Sequence, residues 1–325
     1  MEKRMIQVAT VAVLLVTACV GSERQVWAQT MPPVQLRPDQ IQQAATETPL
    51  QTADFGTPEA TAKIAAKAGF IDVVGLKLGT SLKIALDALK AHNPNLTMDP
   101  LAMPSYEALP GTVMTPLLAS KKNTNTSSAE EKEFVGVLAT MPPSEPFLWG
   151  MWREVSYEKE ESRPTVETIM AGLRQKYGQE SVKDVSNRLI WMYDAQGQPV
   201  PAAKANEIMN KCGGTWTVGY LMPLSQIQWG YFNRQIVGGY FNGSYGKDHM
   251  NGLCRSYSHV VAEYMAQIPM GKISPPLVAS VKVVAMNRQL EASGVTASHG
   301  LLIREATKLA EERKGDAAKR EIPKF

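Results

Sequence analysis

A chain of 325 residues with 44% hydrophobic and 20% charged side chains is long enough for one large or two ordinary domains and too apolar to stay unfolded. Its 34 Lys and Arg against 31 Asp and Glu leave a formal charge of +3, too balanced for electrostatic capture of nucleic acid or an acidic membrane surface. Three cysteines exclude a disulfide-dense mini-protein, and past the first twenty residues no apolar run reaches the roughly 18 to 20 residues of a membrane-spanning helix.

Residues 1–28 read as an export signal. Lys3 and Arg4 precede the apolar stretch from Ile6 to Val20, and Val26-Trp27-Ala28 supplies a small-residue cleavage pattern ending at Ala28. A second reading competes, because Leu15-Val16-Thr17-Ala18-Cys19 resembles the bacterial lipobox, in which the cysteine is lipidated after cleavage before it. Each buried methylene of such an anchor adds about 0.8 kcal/mol to membrane attachment. The first reading makes the protein periplasmic or secreted and the second an outer-membrane lipoprotein; neither leaves a transmembrane domain in the mature chain. With Cys19 removed or lipidated, Cys212 and Cys254 remain as an even pair in an oxidising compartment and are expected to form a disulfide. Closing a loop of about 43 residues constrains the unfolded chain by about 4 kcal/mol in the chain-entropy description. No Cys-x-x-Cys is present, and no metal or other cofactor is expected.

Residues 29–68 are rich in Pro, Gln, Thr and Ala and read as a flexible leader, with a short helix from Pro58 to Lys67. An α+β region is expected over 69–200. Phe70 to Leu76 is β-branched and apolar, as in a strand, and Thr80-Ser81 caps a helix carrying Leu82, Ala85, Leu86 and Leu89 that stops before Pro94. Strands are predicted over Phe134 to Thr140 and Phe147 to Tyr157, with a polar loop at Lys121 to Lys132. Pro164-Thr165 then opens a second helix ending at Gly178, and Arg188 to Asp194 forms a strand followed by the turn 195–198. The expected fold is two strand-helix units plus an antiparallel sheet covered by a C-terminal helix. That sheet falls in residues 201–325, with strands at Thr215 to Met222, within Gln226 to Phe241, and at Ser256 to Ala266 and Leu277 to Leu290. The covering helix is predicted from Thr296 onward and runs into a solvated tail, Glu311 to Arg320.

Val73-Val74-Gly75-Leu76-Lys77-Leu78-Gly79-Thr80-Ser81, a helix, and then His92-Asn93-Pro94 resemble a signature of an uncharacterised group of exported proteobacterial proteins. Arg163-Pro164-Thr165, Lys176-Tyr177-Gly178 and Trp191 to Gly197 are similar to recurrent features of the same group. Strand, Gly-Met-Thr and helix patterns of this kind occur in the small outer-membrane lipoproteins of the SmpA/OmlA type, which assist β-barrel assembly. The resemblance covers about residues 70–200 and implies an assembly role without implying a catalytic residue.

The catalytic inventory is thin. Gly243-Ser244-Tyr245-Gly246 lacks the spacing of a nucleophile elbow, and no dinucleotide fingerprint, phosphate-binding loop or His-Glu-x-x-His is present. His92 at a helix end, His259 in a strand and His299 near a helix start read as packing or surface residues. Residues 240–253 are the candidate binding segment. Tyr240, Tyr245, Lys247, Asp248 and His249 combine aromatic, basic and acidic groups among glycines, inside the expected disulfide loop. Eight aromatics between residues 215 and 245 suit either a contact surface for another envelope protein or glycan, or a core between sheet and helix. The leading expectation is an exported, non-catalytic envelope protein of binding or assembly type. The alternative is a secreted hydrolase or lyase using residues 240–253.

Overall fold

A computed structural model describes residues 37–39, 41–42, 51–101, 117–122, 131–183, 188–212, 253–267 and 275–319, all within one compact unit, Pro32–Phe325. Helix α1 (Pro58–Ala65) begins where the sequence places it. The Thr57 hydroxyl accepts from the Ala60 amide at 3.1 Å, and Pro58 stands in the first turn, where a missing N–H costs nothing. Ala60, Thr61 and Ile64 are buried, so this end of the stretch expected to be a flexible leader is packed.

The apolar run from Phe70 to Leu76 reads as one strand but folds as a tight hairpin of β1 (Asp72–Val73) and β2 (Leu76–Lys77). Val74 and Gly75 have φ of 50° and 82°, the left-handed pair that a two-residue type I′ turn requires. Gly adopts it freely and Val under strain, and the Asp72 carboxylate steadies the turn by accepting from the Gly75 amide at 3.1 Å. Helix α2 (Leu82–His92) follows and buries Ala85 and Leu89; Ser81 holds its cap position without a side-chain hydrogen bond.

Eight strands make one antiparallel sheet. They are β3 (Leu96–Leu101), β4 (Leu117–Lys122), β5 (Glu131–Ala139), β6 (Leu148–Tyr157), β7 (Val182–Lys183), β8 (Arg188–Tyr193), β9 (Ser258–Gln267) and β10 (Leu277–Asn287), in the order β3-β4-β5-β6-β10-β9-β8-β7. Strands from both sides of residue 200 share this sheet, joined at the centre where β6 pairs with β10. Helix α3 (Val166–Tyr177) lies between β6 and β7, and α4 (Ala202–Lys211), which the sequence pattern did not announce, lies between β8 and β9. The fold is α+β, and each strand-helix unit is followed by a four-stranded run.

The two runs, α2 then β3 to β6 and α3 then β7 to β10, repeat one another in detail. Before α2, Ser81 bridges Phe147 and the Thr80 carbonyl accepts from the Leu148 amide at 2.8 Å; before α3, Thr165 bridges Leu277 and the Pro164 carbonyl accepts from the Val278 amide at 2.8 Å. Each closing strand then carries one extra residue, Trp149 in β6 against β5 and Ala279 in β10 against β9. Counted from these points, Arg153 and Val283 are equivalent, and they are paired with each other where the two runs meet. The chain thus folds a helix and an antiparallel meander twice, about an approximate two-fold axis through the β6–β10 seam.

Successive residues of β8 divide the interior. Trp191 joins the main core with Leu89, Val137, Met151 and Ala285, whereas Met192, on the opposite side of the pleat, joins Val200, Ala205, Ile208, Cys212 and Cys254. Helix α5 (Arg288–Ala318) packs on the sheet, as expected, but starts well before Thr296. Asn287 ends β10, and its side chain accepts from the Leu290 amide at 2.8 Å, switching the backbone directly from strand to helix. Leu290 and Ala292 enter the main core, Ser293 and Thr61 hydrogen-bond at 2.9 Å between α5 and α1, and the Ser298 hydroxyl donates to the Met141 carbonyl at 3.2 Å. His299 therefore sits buried in mid-helix instead of near a helix start. Residues 311–318 continue the helix with every side chain exposed. Among the described residues no helix is long and apolar enough to cross a membrane.

Candidate ligand-binding cleft

Lys63 and Lys67 stand one turn apart on and just beyond α1, so both ammonium groups emerge from one face. They border a cleft of about 690 Å³. Ala60 and Ile64 of the same helix add an apolar strip; Gln196 from the turn after β8, Ser256 and Tyr257 from the approach to β9, and Asn287 and Gln289 from the β10–α5 junction complete the lining. Asp54 is the one lining carboxylate among the described residues. Both lysines are exposed, and neither has a carboxylate partner among the described residues.

Buried polar groups fix this junction. The Arg288 amide donates to the Tyr257 carbonyl at 3.2 Å, tying the first residue of α5 to the wall of the cleft. The Arg288 guanidinium pairs with Glu291 at 2.6 Å, both side chains 7% exposed. Burial, reinforced by the charge of Arg288, holds His259 well below the usual histidine range, so it is a neutral packing group in β9. On the rim, the Arg255 guanidinium lies 4.0 Å from the Phe55 ring centroid.

The covalent tie that positions Arg255 and Ser256 is the one expected from cysteine parity. The sulfurs of Cys212 and Cys254 are 2.06 Å apart, linking the end of α4 to the approach to β9. The other sequence candidates, Tyr240, Tyr245, Lys247, Asp248 and His249, lie outside the described residues, as do Cys19 and Ala28. The strand-like stretches Thr215 to Met222 and Gln226 to Phe241 lie there too. The cleft itself was missed by sequence reasoning, since its walls come from four separated segments. The signal within reach was the spacing of Lys63 and Lys67, four residues apart beside the apolar Ala60, Ile64 and Ala68.

A second polar cluster anchors α2. Glu133 of β5 accepts from Asn93 at 3.1 Å and from Arg153 at 2.7 Å, and lies 2.9 Å from His92 Nε2. Burial alone raises its pKa, but the contacts with His92, Asn93 and Arg153 outweigh that and hold it at about 2. Helix α3 is fastened differently. Tyr177 donates its hydroxyl to the Asp72 carbonyl at 2.9 Å, Lys176 pairs with Asp72 at 2.6 Å, and Tyr193 donates to the Tyr177 carbonyl at 2.8 Å. Burial raises both phenols, Tyr193 to about 12, so neither ionises at physiological pH. Among the described residues no group of three or more His, Cys, Asp or Glu is placed to hold a metal ion. The chain matches no family model, no curated protein and no solved structure.

Proposed function

We propose that this chain is an exported binding protein of the cell envelope, non-catalytic, working in the periplasm or beyond it. The cleft carries the reading: a cavity of about 690 Å³ is within the range of about 300 to 1,000 Å³ typical of small-ligand sites, with a few converging polar groups over an apolar strip. The joined pair Cys212 and Cys254 supports the setting, because such a bond persists where thiols are oxidised. The resemblance to SmpA/OmlA-type modules supports an assembly role, in which the occupied cleft would report on an envelope component. Residues 240–253 are the second candidate segment, for contact with another envelope protein or a glycan.

The test is native mass spectrometry of the chain purified from an envelope fraction, beside Gln196→Trp, which fills the mouth of the cleft, and a chain lacking residues 240–253. Bound mass that either change removes is the expected result. Identical spectra for all three, or a turnover in a substrate screen that His249→Ala abolishes without lowering Tm, overturn the proposal.

A further inference from the structure

We infer that the cleft takes an anionic saccharide, a sugar carrying a phosphate or carboxylate group, a statement that rests on reading the cleft as a ligand site. The lining combines two kinds of chemistry. The α1 wall offers two ammonium groups one turn apart, Lys63 and Lys67, neither neutralised by a carboxylate among the described residues. Two such donors at this spacing converge on one phosphate or carboxylate, and charge-assisted hydrogen bonds are roughly twice as strong as neutral ones. The rest of the lining includes the side-chain amides of Gln196 and Gln289. Groups that both donate and accept suit the hydroxyls of a sugar. Beside the lysines, Ala60 and Ile64 give apolar surface for the C–H face of a pyranose.

A purely apolar ligand would leave Lys63 and Lys67 without partners, which costs affinity. A simple inorganic anion would use the lysines and leave most of the roughly 690 Å³ unfilled. A cationic ligand would meet two lysines against the one carboxylate, Asp54. An anionic sugar satisfies all three surfaces. Asp54 opposes it, so its removal should tighten binding.

Calorimetric titration and amide chemical-shift mapping of the purified chain would use glucose 1-phosphate, glucuronate, glucose and inorganic phosphate as probes. The expected result is binding of glucose 1-phosphate, glucuronate or both at least about tenfold tighter than glucose and inorganic phosphate, weakening as salt is raised. Lys63→Gln with Lys67→Gln should reduce the anionic sugar to the level of glucose, and Asp54→Asn should tighten it by about threefold, the scale of one exposed charge interaction. Because all three side chains are exposed, an unchanged Tm verifies folding. Glucose bound as tightly as its phosphate, with the shifts confined to the cleft and abolished by Gln196→Trp, would overturn the anionic part and leave the cleft a ligand site. Inorganic phosphate bound as tightly as glucose 1-phosphate would overturn the saccharide part. If no probe moves a cleft resonance and the Gln196→Trp chain carries the same bound mass as the original, both this inference and the binding reading fail.

Discussion

Trp152 stands opposite Gly136 in the first half of the sheet; at the equivalent place in the second half, Lys282 stands opposite Glu263. A Cβ on residue 136 would overlap the Trp152 indole, so the ring lies flat on bare backbone. Lys282 is buried in its turn, and burial lowers its ammonium to about 8 against the opposing pull of Glu154 and Glu263. One geometry therefore holds an apolar stack in one half and a charged pair in the other. The halves share backbone devices instead: a bridge from the helix start to the closing strand, and an extra residue just inside that strand. The helices differ likewise. Helix α2 buries Ala85 and Leu89, whereas α3 buries no residue fully and depends on the Tyr177, Lys176 and Asp72 contacts. Repeated topology does not demand repeated chemistry, provided each pair of facing groups fills its space and satisfies its polar atoms.

The largest asymmetry to test is covalent, since the second half alone has the disulfide among the described residues. Cys212→Ser with Cys254→Ser should lower stability by about 4 kcal/mol, read by urea unfolding, and should abolish the effect of dithiothreitol on Tm. Leu89→Ala, at a fully buried site, should cost about 3 kcal/mol, and its half-buried equivalent Leu173→Ala only about 1 kcal/mol; equal losses would break the contrast between α2 and α3. Gly136→Ala forces the indole aside and should cost about 2 kcal/mol, measured by chemical denaturation. Glu263→Gln, at the equivalent position, should cost about 1 kcal/mol while moving the Lys282 titration further below 8.

A pH-dependent effect concerns the α2 anchor. Glu133 has a folded pKa of about 2 against an ordinary 4.5, so the folded state binds its proton less readily than the unfolded chain. The stability it contributes is fully present above pH 4.5 and is lost as the pH falls toward about 2. Glu133→Gln should flatten the acid limb of the stability profile in that window and cost about 1.5 kcal/mol near neutrality. An unchanged acid limb would assign the acid sensitivity to other carboxylates.

Much of the framework was legible because its signals are local. Apolar spacing located α2 and α3, Thr165 and Gly178 marked the ends of the second helix, and the β-branched runs at 134–140, 147–157 and 188–194 became β5, β6 and β8. Where neighbouring chain segments decide, the reading failed. Val74 looks like a strand residue, but Gly75 and the Asp72 side chain make it half of a turn. Leu277 to Leu290 looks like one strand, yet the Asn287 cap begins a helix at Arg288, and that helix is stable because Thr61, Met141 and the main core receive its small and apolar face. Helix α4 has too few apolar residues to announce itself and is held by Ala205 and Ile208 against Met192 and the disulfide. For the site, the sequence indicated residues 240–253, all but Leu253 outside the described residues, whereas the cleft needed the tertiary structure.

By itself the sequence determined the class of fold, the Thr165 start and Gly178 end of α3 and the pairing of Cys212 with Cys254, since capping, periodicity and cysteine parity act over a few residues or through simple counting. Only the tertiary structure decided that two helix-and-meander runs meet at Arg153 and Val283, and that Lys63, Gln196, Tyr257 and Gln289 surround one cavity. Strand order and cavity walls are set by which distant surfaces exclude water from one another, and residues with no mark of kinship along the chain become neighbours when those surfaces close.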